Sequence, residues 1–156
     1  MSLSVRTPSD REILTTRAFD APRELVFAAL TQPELLKQWH GARGWQLIEC
    51  AVDLRPGGAW RFVSRGPGGA TMGMGGTYRE IDPPDRLVYL ESYDDQWFAG
   101  ECLVTAQLSG ATVLTQTFRY ESRRIRDHVL ASPMRRGLGE SYDRLAAAIA
   151  IRGEIP

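Results

Sequence analysis

The stretch SPMRRGLGESYDRLAAAIA, residues 132–150, decides the reading of the fold. Met134, Leu138, Tyr142, Leu145 and Ile149 recur at spacings of four and three, which gathers them on one face of an α-helix. Arg135, Arg136, Glu140, Asp143 and Arg144 fall largely on the other face. Ser132-Pro133 is a cap-plus-proline signal, so it predicts a helical piece over Arg123–Ala131 and a restart that runs to about Ala150. A long helix with one apolar face needs a surface to cover.

The sequence upstream supplies that surface. Trp45–Leu54, Ala59–Arg65, Ala70–Ile81, Arg86–Ser92, Trp97–Leu108 and Thr112–Tyr120 read as strands. Their connections are short and rich in Gly, Pro or Asp, which predicts antiparallel neighbours. A seventh strand is expected over Arg11–Asp20. Two short helices follow it, with Asp20 and Thr31 as expected caps and Pro22 and Pro33 in the first turns. Residues 1–10 are polar and expected to be a flexible segment. The expected architecture is α+β, a seven-stranded curved antiparallel sheet in the order β-αα-ββββββ-α around the C-terminal helix.

Composition narrows the function classes. The 156 residues suit one domain, expected over 11–150, with a core that needs no staples. Nineteen basic and nineteen acidic side chains cancel, which argues against a nucleic-acid partner. Cys50 and Cys102 are expected as reduced, buried thiols rather than a disulfide framework. No Cys/His spacing suggests a metal, and no cofactor motif or catalytic signature stands out. No segment approaches the roughly 20 apolar residues of a membrane span, and the first ten residues lack the apolar run of a secretory signal. A cytoplasmic location is therefore expected. The sequence does not fix an oligomeric state and is compatible with a homodimer.

Four motifs carry a resemblance. They are Phe19-Asp20-Ala21-Pro22-Arg23-Glu24-Leu25-Val26-Phe27, Asp53-Leu54-Arg55-Pro56-Gly57-Gly58, the pair Tyr78-Arg79-Glu80-Ile81 with Pro83-Pro84-Asp85-Arg86-Leu87-Val88, and Glu140-Ser141-Tyr142-Asp143-Arg144-Leu145. With them the chain resembles the SRPBCC (START-like, helix-grip) superfamily. Within it, the likeness is to the branch named for the activator of the heat-shock chaperone ATPase. The resemblance covers about Arg11 to Ile149. It implies a cavity between sheet and helix, with a hydrophobic or aromatic small molecule as partner. His40 stands where the family often carries an aromatic residue, in Trp39-His40-Gly41-Ala42.

Strand alternation predicts the lining. Trp60 and Phe62 point inward opposite the charged Arg61 and Arg65, Met74 and Tyr78 opposite Thr77 and Arg79, and Gln116, Phe118 and Tyr120 opposite Thr117 and Arg119. For Arg86–Ser92 the alternation is ambiguous, and analogy with relatives selects Leu87, Tyr89 and Glu91 as inward. Trp39 and His40 close one end, and Met134, Leu138 and Tyr142 cover the space. For each ring the plain alternative is core filling. Gly137 and Gly139 either leave room between helix and sheet or allow close packing. Loop histidines such as His40 ordinarily lie at the surface. A buried Glu91 would have a raised pKa and serve as ligand anchor or acid/base group. The first reading is a binding protein. The alternatives are a polyketide cyclase/hydrolase-like enzyme and a protein-interaction module acting on a chaperone ATPase.

Overall fold

The computed structural model describes residues 2–153. Eight antiparallel strands form an unclosed sheet: β1 (Ser4–Arg6), β2 (Glu12–Ala18), β3 (Gln46–Val52), β4 (Ala59–Arg65), β5 (Thr71–Asp82), β6 (Arg86–Tyr93), β7 (Cys102–Ser109) and β8 (Val113–Arg119). Their spatial order is β1-β2-β8-β7-β6-β5-β4-β3. Helices α1 (Arg23–Thr31) and α2 (Pro33–Trp39) lie between β2 and β3, and α3 (Arg123–Ala131) and α4 (Met134–Gly153) follow β8. Buried and half-buried residues alternate along β2, β7 and β8, as expected of strands with one face on a core.

Several expectations change. The sheet has eight strands rather than seven. The extra strand, β1, lies in the segment expected to be flexible and pairs Val5 with Thr15 on β2. Three residues give too little alternation to read, but Leu3 and Val5 find apolar partners in the core. Neither expected cap forms. The residue ahead of α1 is Pro22, which has no side-chain oxygen to offer, and Thr31 instead donates back to the Phe27 carbonyl at 2.9 Å inside α1. Ser132 likewise donates back to Val129 O, closing α3.

The strand expected from Trp97 starts only at Cys102. Gln96 and Gly100 have φ of 51° and 78°, left-handed values that interrupt extended chain, and the Gln96 side chain accepts from Gly100 N at 3.0 Å. Bulges fall at Leu47/Glu49 and Tyr78/Glu80, so Met74 and Tyr78 share one register and keep their inward parity. Cys102 is buried on β7, but Cys50 is only half-buried, because β3 is the edge strand. Both are free thiols.

The core divides between the ends of the sheet. One cluster joins Phe19, Val26, Leu36, Trp39, Tyr142, Leu145 and Ile149, knitting α1, α2 and the C-terminal half of α4. A second joins Ile13, Phe98, Cys102, Val104, Phe118, Tyr120 and Val129 beneath α3. No helix among the described residues is long and apolar enough to cross a membrane.

Candidate functional site

Between the two clusters the sheet and α4 border a partly open cavity of about 510 Å³. Its walls are the inward side chains of β4 to β8, its roof is the first turns of α4, and Trp39-His40 and the Tyr93–Phe98 loop close its ends. The size falls within the usual range for small-molecule pockets. Gly137 faces it, and a Cβ there or at Gly139 would meet no atom within 4 Å. Gly137 therefore leaves space between helix and sheet, while Gly139 does not border the cavity.

The rings form a connected lining. Phe62 lies 4.9 Å from Trp60, Trp60 meets Tyr89 edge-on at 5.6 Å, and Tyr89 meets Tyr78 at 6.4 Å. Farther along, Phe98 bridges Tyr93 and Tyr120 in T-shaped contacts near 5.5 Å. Trp60 depends on a neighbour with no side chain. Its indole passes over Gly76 on β5 to donate to Leu90 O on β6 at 3.2 Å, and a Cβ at Gly76 would overlap that carbonyl. Trp39 donates to Ala29 O at 2.9 Å, and the Tyr142 hydroxyl donates to Gln116 Oε1. These polar atoms are satisfied within the fold.

Two polar groups are not. His40 follows α2 and is held by what comes after it. Arg144 of α4 donates to Gly41 O at 2.8 Å, Trp45 O at 2.9 Å and Ala42 O at 3.2 Å, and Ser141 Oγ accepts from Gly41 N at 3.1 Å. Gly41 adopts φ 107°, a conformation L side chains rarely take. The clamp turns the imidazole inward, edge-on to Phe62 at 5.0 Å, with Nδ1 buried and unpartnered. Burial, and then the nearby Arg144 charge, lower its pKa to about 4, so the ring is neutral near pH 7. His40, expected to close one end of the lining with a surface position as its plain alternative, is thus a wall of the cavity. Its burial depends on Arg144, about a hundred residues away in sequence.

Glu91 is the second. It pairs across the sheet with Cys102 and faces inward, as analogy had selected. Its residual exposure opens onto the cavity, and burial alone raises its pKa to about 7. Its charge is felt by Tyr89, Tyr93, Tyr120, Tyr142 and Cys102, all pushed upward first by burial.

Every lining candidate named from the sequence borders the cavity, from Trp39 and His40 through Glu91 to Tyr142. Among the residues the structure adds are Leu36, Met72, Ala106, Val129 and Ser141. Val129 gave no signal because α3 is short and mostly polar, and Ser141 sits between two core positions of α4. His128 is exposed outside the cavity, with Nε2 at 2.7 Å from Trp97 O. Among the described residues no cluster of His, Cys, Asp and Glu is arranged to hold a metal.

Residues 20–150 match the family described as Activator of Hsp90 ATPase homolog 1-like protein. A crystal structure of a Rhodobacter sphaeroides protein is similar at 37% identity and a TM-score of 0.91, over 97% of this chain and 99% of that one. Two crystal structures at 22% identity share the fold. A Nitrosomonas europaea protein superposes with a TM-score of 0.81, over 94% of this chain and 99% of its own. The AHSA1 protein from Silicibacter pomeroyi superposes at 0.76, over 90% and 99%. No curated protein matches the sequence.

Proposed function

The chain belongs to the Activator of Hsp90 ATPase homolog 1-like protein family, and from that premise we propose that it binds a hydrophobic or aromatic small molecule in the cavity under α4. The observation that carries this reading is the roofed cavity of about 510 Å³, lined by rings in edge-on and tilted contact and kept open by Gly137. Rings alone would suit a packed core. Rings around empty space suit a guest, with Glu91 and His40 as polar points to orient it. We take the binding unit to span residues 11–150 and to work in the cytoplasm, where thiols stay reduced.

A cyclase-like or hydrolase-like reading has one specific support. A carboxyl whose pKa lies near 7 is suited to acid/base work. An interaction surface for a chaperone ATPase has less. Among the described residues the exposed large hydrophobics, Leu54 ahead of β4 and Leu130 on α3, sit in separate segments and do not build a patch.

Native mass spectrometry of the purified protein, followed by thermal shifts with hydrophobic metabolites, tests the binding reading. A ligand at a hundredfold excess over its Kd stabilises the native state by about 2.7 kcal/mol, a rise of roughly 5–10 °C in Tm. Gly137→Leu, which places a side chain in the open space, should fold and lose that shift. Wild-type protein that carries no guest and shifts with none of the compounds would end the proposal.

A further inference from the structure

Glu91 and His40 make two different demands on a guest. The Glu91 carboxyl lies in an apolar chamber, and no cation from the described residues reaches it: the cause of its perturbation is burial alone. The buried Arg17 and Arg126 and the half-buried Arg144 serve elsewhere. Arg17 pairs with Asp143 at 3.1 Å and lies over Phe19, Arg126 donates to the carbonyls of Ser9 and Glu12, and Arg144 clamps residues 41–45. The groups that face Glu91 are neutral: Tyr89 and Tyr93 from its own strand, Cys102 from β7, Tyr120 beyond β8 and Tyr142 from α4. An anionic guest would meet repulsion there. A purely apolar guest would leave an acid buried without a partner. A cation among tyrosine rings has both a countercharge and π faces.

At the other end the His40 ring borders the cavity with Nδ1 buried and unpartnered, and a turn of the ring would offer one hydrogen bond to a guest. Between the two, Phe62, Trp60 and Tyr89 form an unbroken run of rings. We infer that the ligand class is an aryl-alkyl amine. Its ammonium group pairs with the Glu91 carboxylate, its ring system lies against Trp60 and Phe62, and a hydrogen-bonding group at its far end reaches His40. The inference rests on the cavity being a small-molecule site.

Three probes of one shape and different charge test it: naphthylethylamine, ethylnaphthalene and naphthylpropanoate. Kd is measured for the wild type and for Glu91→Gln at about pH 6 and about pH 8. The amine should bind at least about tenfold more tightly than the hydrocarbon near pH 8, and Glu91→Gln should remove that advantage while leaving hydrocarbon affinity nearly unchanged. Amine affinity in the wild type should rise about tenfold from about pH 6 to about pH 8, because Glu91 must ionise to pair while the amine stays protonated throughout. That series decides the matter even if the variant folds poorly. Equal affinity for amine and hydrocarbon, a pH-independent amine, or tightest binding by the propanoate overturns the amine while leaving the cavity as a binding site. Binding of none of the three overturns both.

Discussion

The two halves of α4 face the same sheet with different results. At the C-terminal half, Leu145 is fully buried and Ile149 is 5% exposed, packed with Phe19, Val26 and Trp39 beneath α1 and α2. At the N-terminal half, Met134, Gly137 and Leu138 border open space. Both stretches belong to one apolar stripe. They differ in what stands opposite: two helices fill the gap at one end, while at the other α3 and the Tyr93–Phe98 loop reach only the rim. A periodic stripe shows which way a helix faces. Whether that face is filled depends on side-chain volume on both sides.

The sharpest way to break this contrast is a pair of identical truncations. Leu145→Ala should cost about 3 kcal/mol, a value typical of a buried leucine whose site cannot collapse. Leu138→Ala, beside the cavity, should cost about 1 kcal/mol, since Leu138 is only partly buried where it packs against the two clusters. Urea unfolding of both variants measures the difference. Equal losses would mean that the N-terminal half is packed as tightly as the rest.

Glu91 sharpens the contrast through pH. Its folded pKa of about 7 lies above the ordinary 4.5, so the native state holds a proton that the unfolded chain releases. Stability from this group is complete below about pH 4.5 and declines as pH rises toward and past 7. Glu91→Gln lacks that decline. It should exceed the wild type by about 2 kcal/mol near pH 8 and match it near pH 4, the figure being discounted because the carboxyl opens onto the cavity. Parallel stability–pH curves for the two proteins would place Glu91 in ordinary solvent.

His40 has the smallest expected effect, with the opposite sign. Its folded pKa of about 4 lies below the ordinary 6.5, so its contribution is complete above about pH 6.5 and is lost as pH falls toward 4. His40→Phe fills the same place without a buried, unpartnered nitrogen. A gain of about 1 kcal/mol near pH 7, widening toward acid, is expected from chemical denaturation at several pH values. A loss of stability at neutral pH would indicate that Nδ1 has a partner after all.

Alternation and turn chemistry made most of the sheet legible, because Arg61 against Trp60 or Arg119 against Phe118 leaves a strand one way to face. The same logic failed at β1, which is too short to alternate, and at Trp97–Glu101, where left-handed residues break the strand after a sequence that looks extended. Along β6, Leu90 and Glu91 sit between apolar and polar neighbours, and the register with Cys102 on β7 is what turns the carboxyl inward.

The sequence by itself determined the antiparallel sheet, the apolar face of the C-terminal helix and most of the rings that point beneath it. All of these follow from local periodicity and from turn residues adjacent in the chain. Only the tertiary structure decided that the space between helix and sheet is a chamber, that Arg144 turns His40 into it, and that Glu91 lies there without a cation. These are properties of volume, burial and partner choice. They arise when segments distant in sequence meet, and no local pattern encodes them.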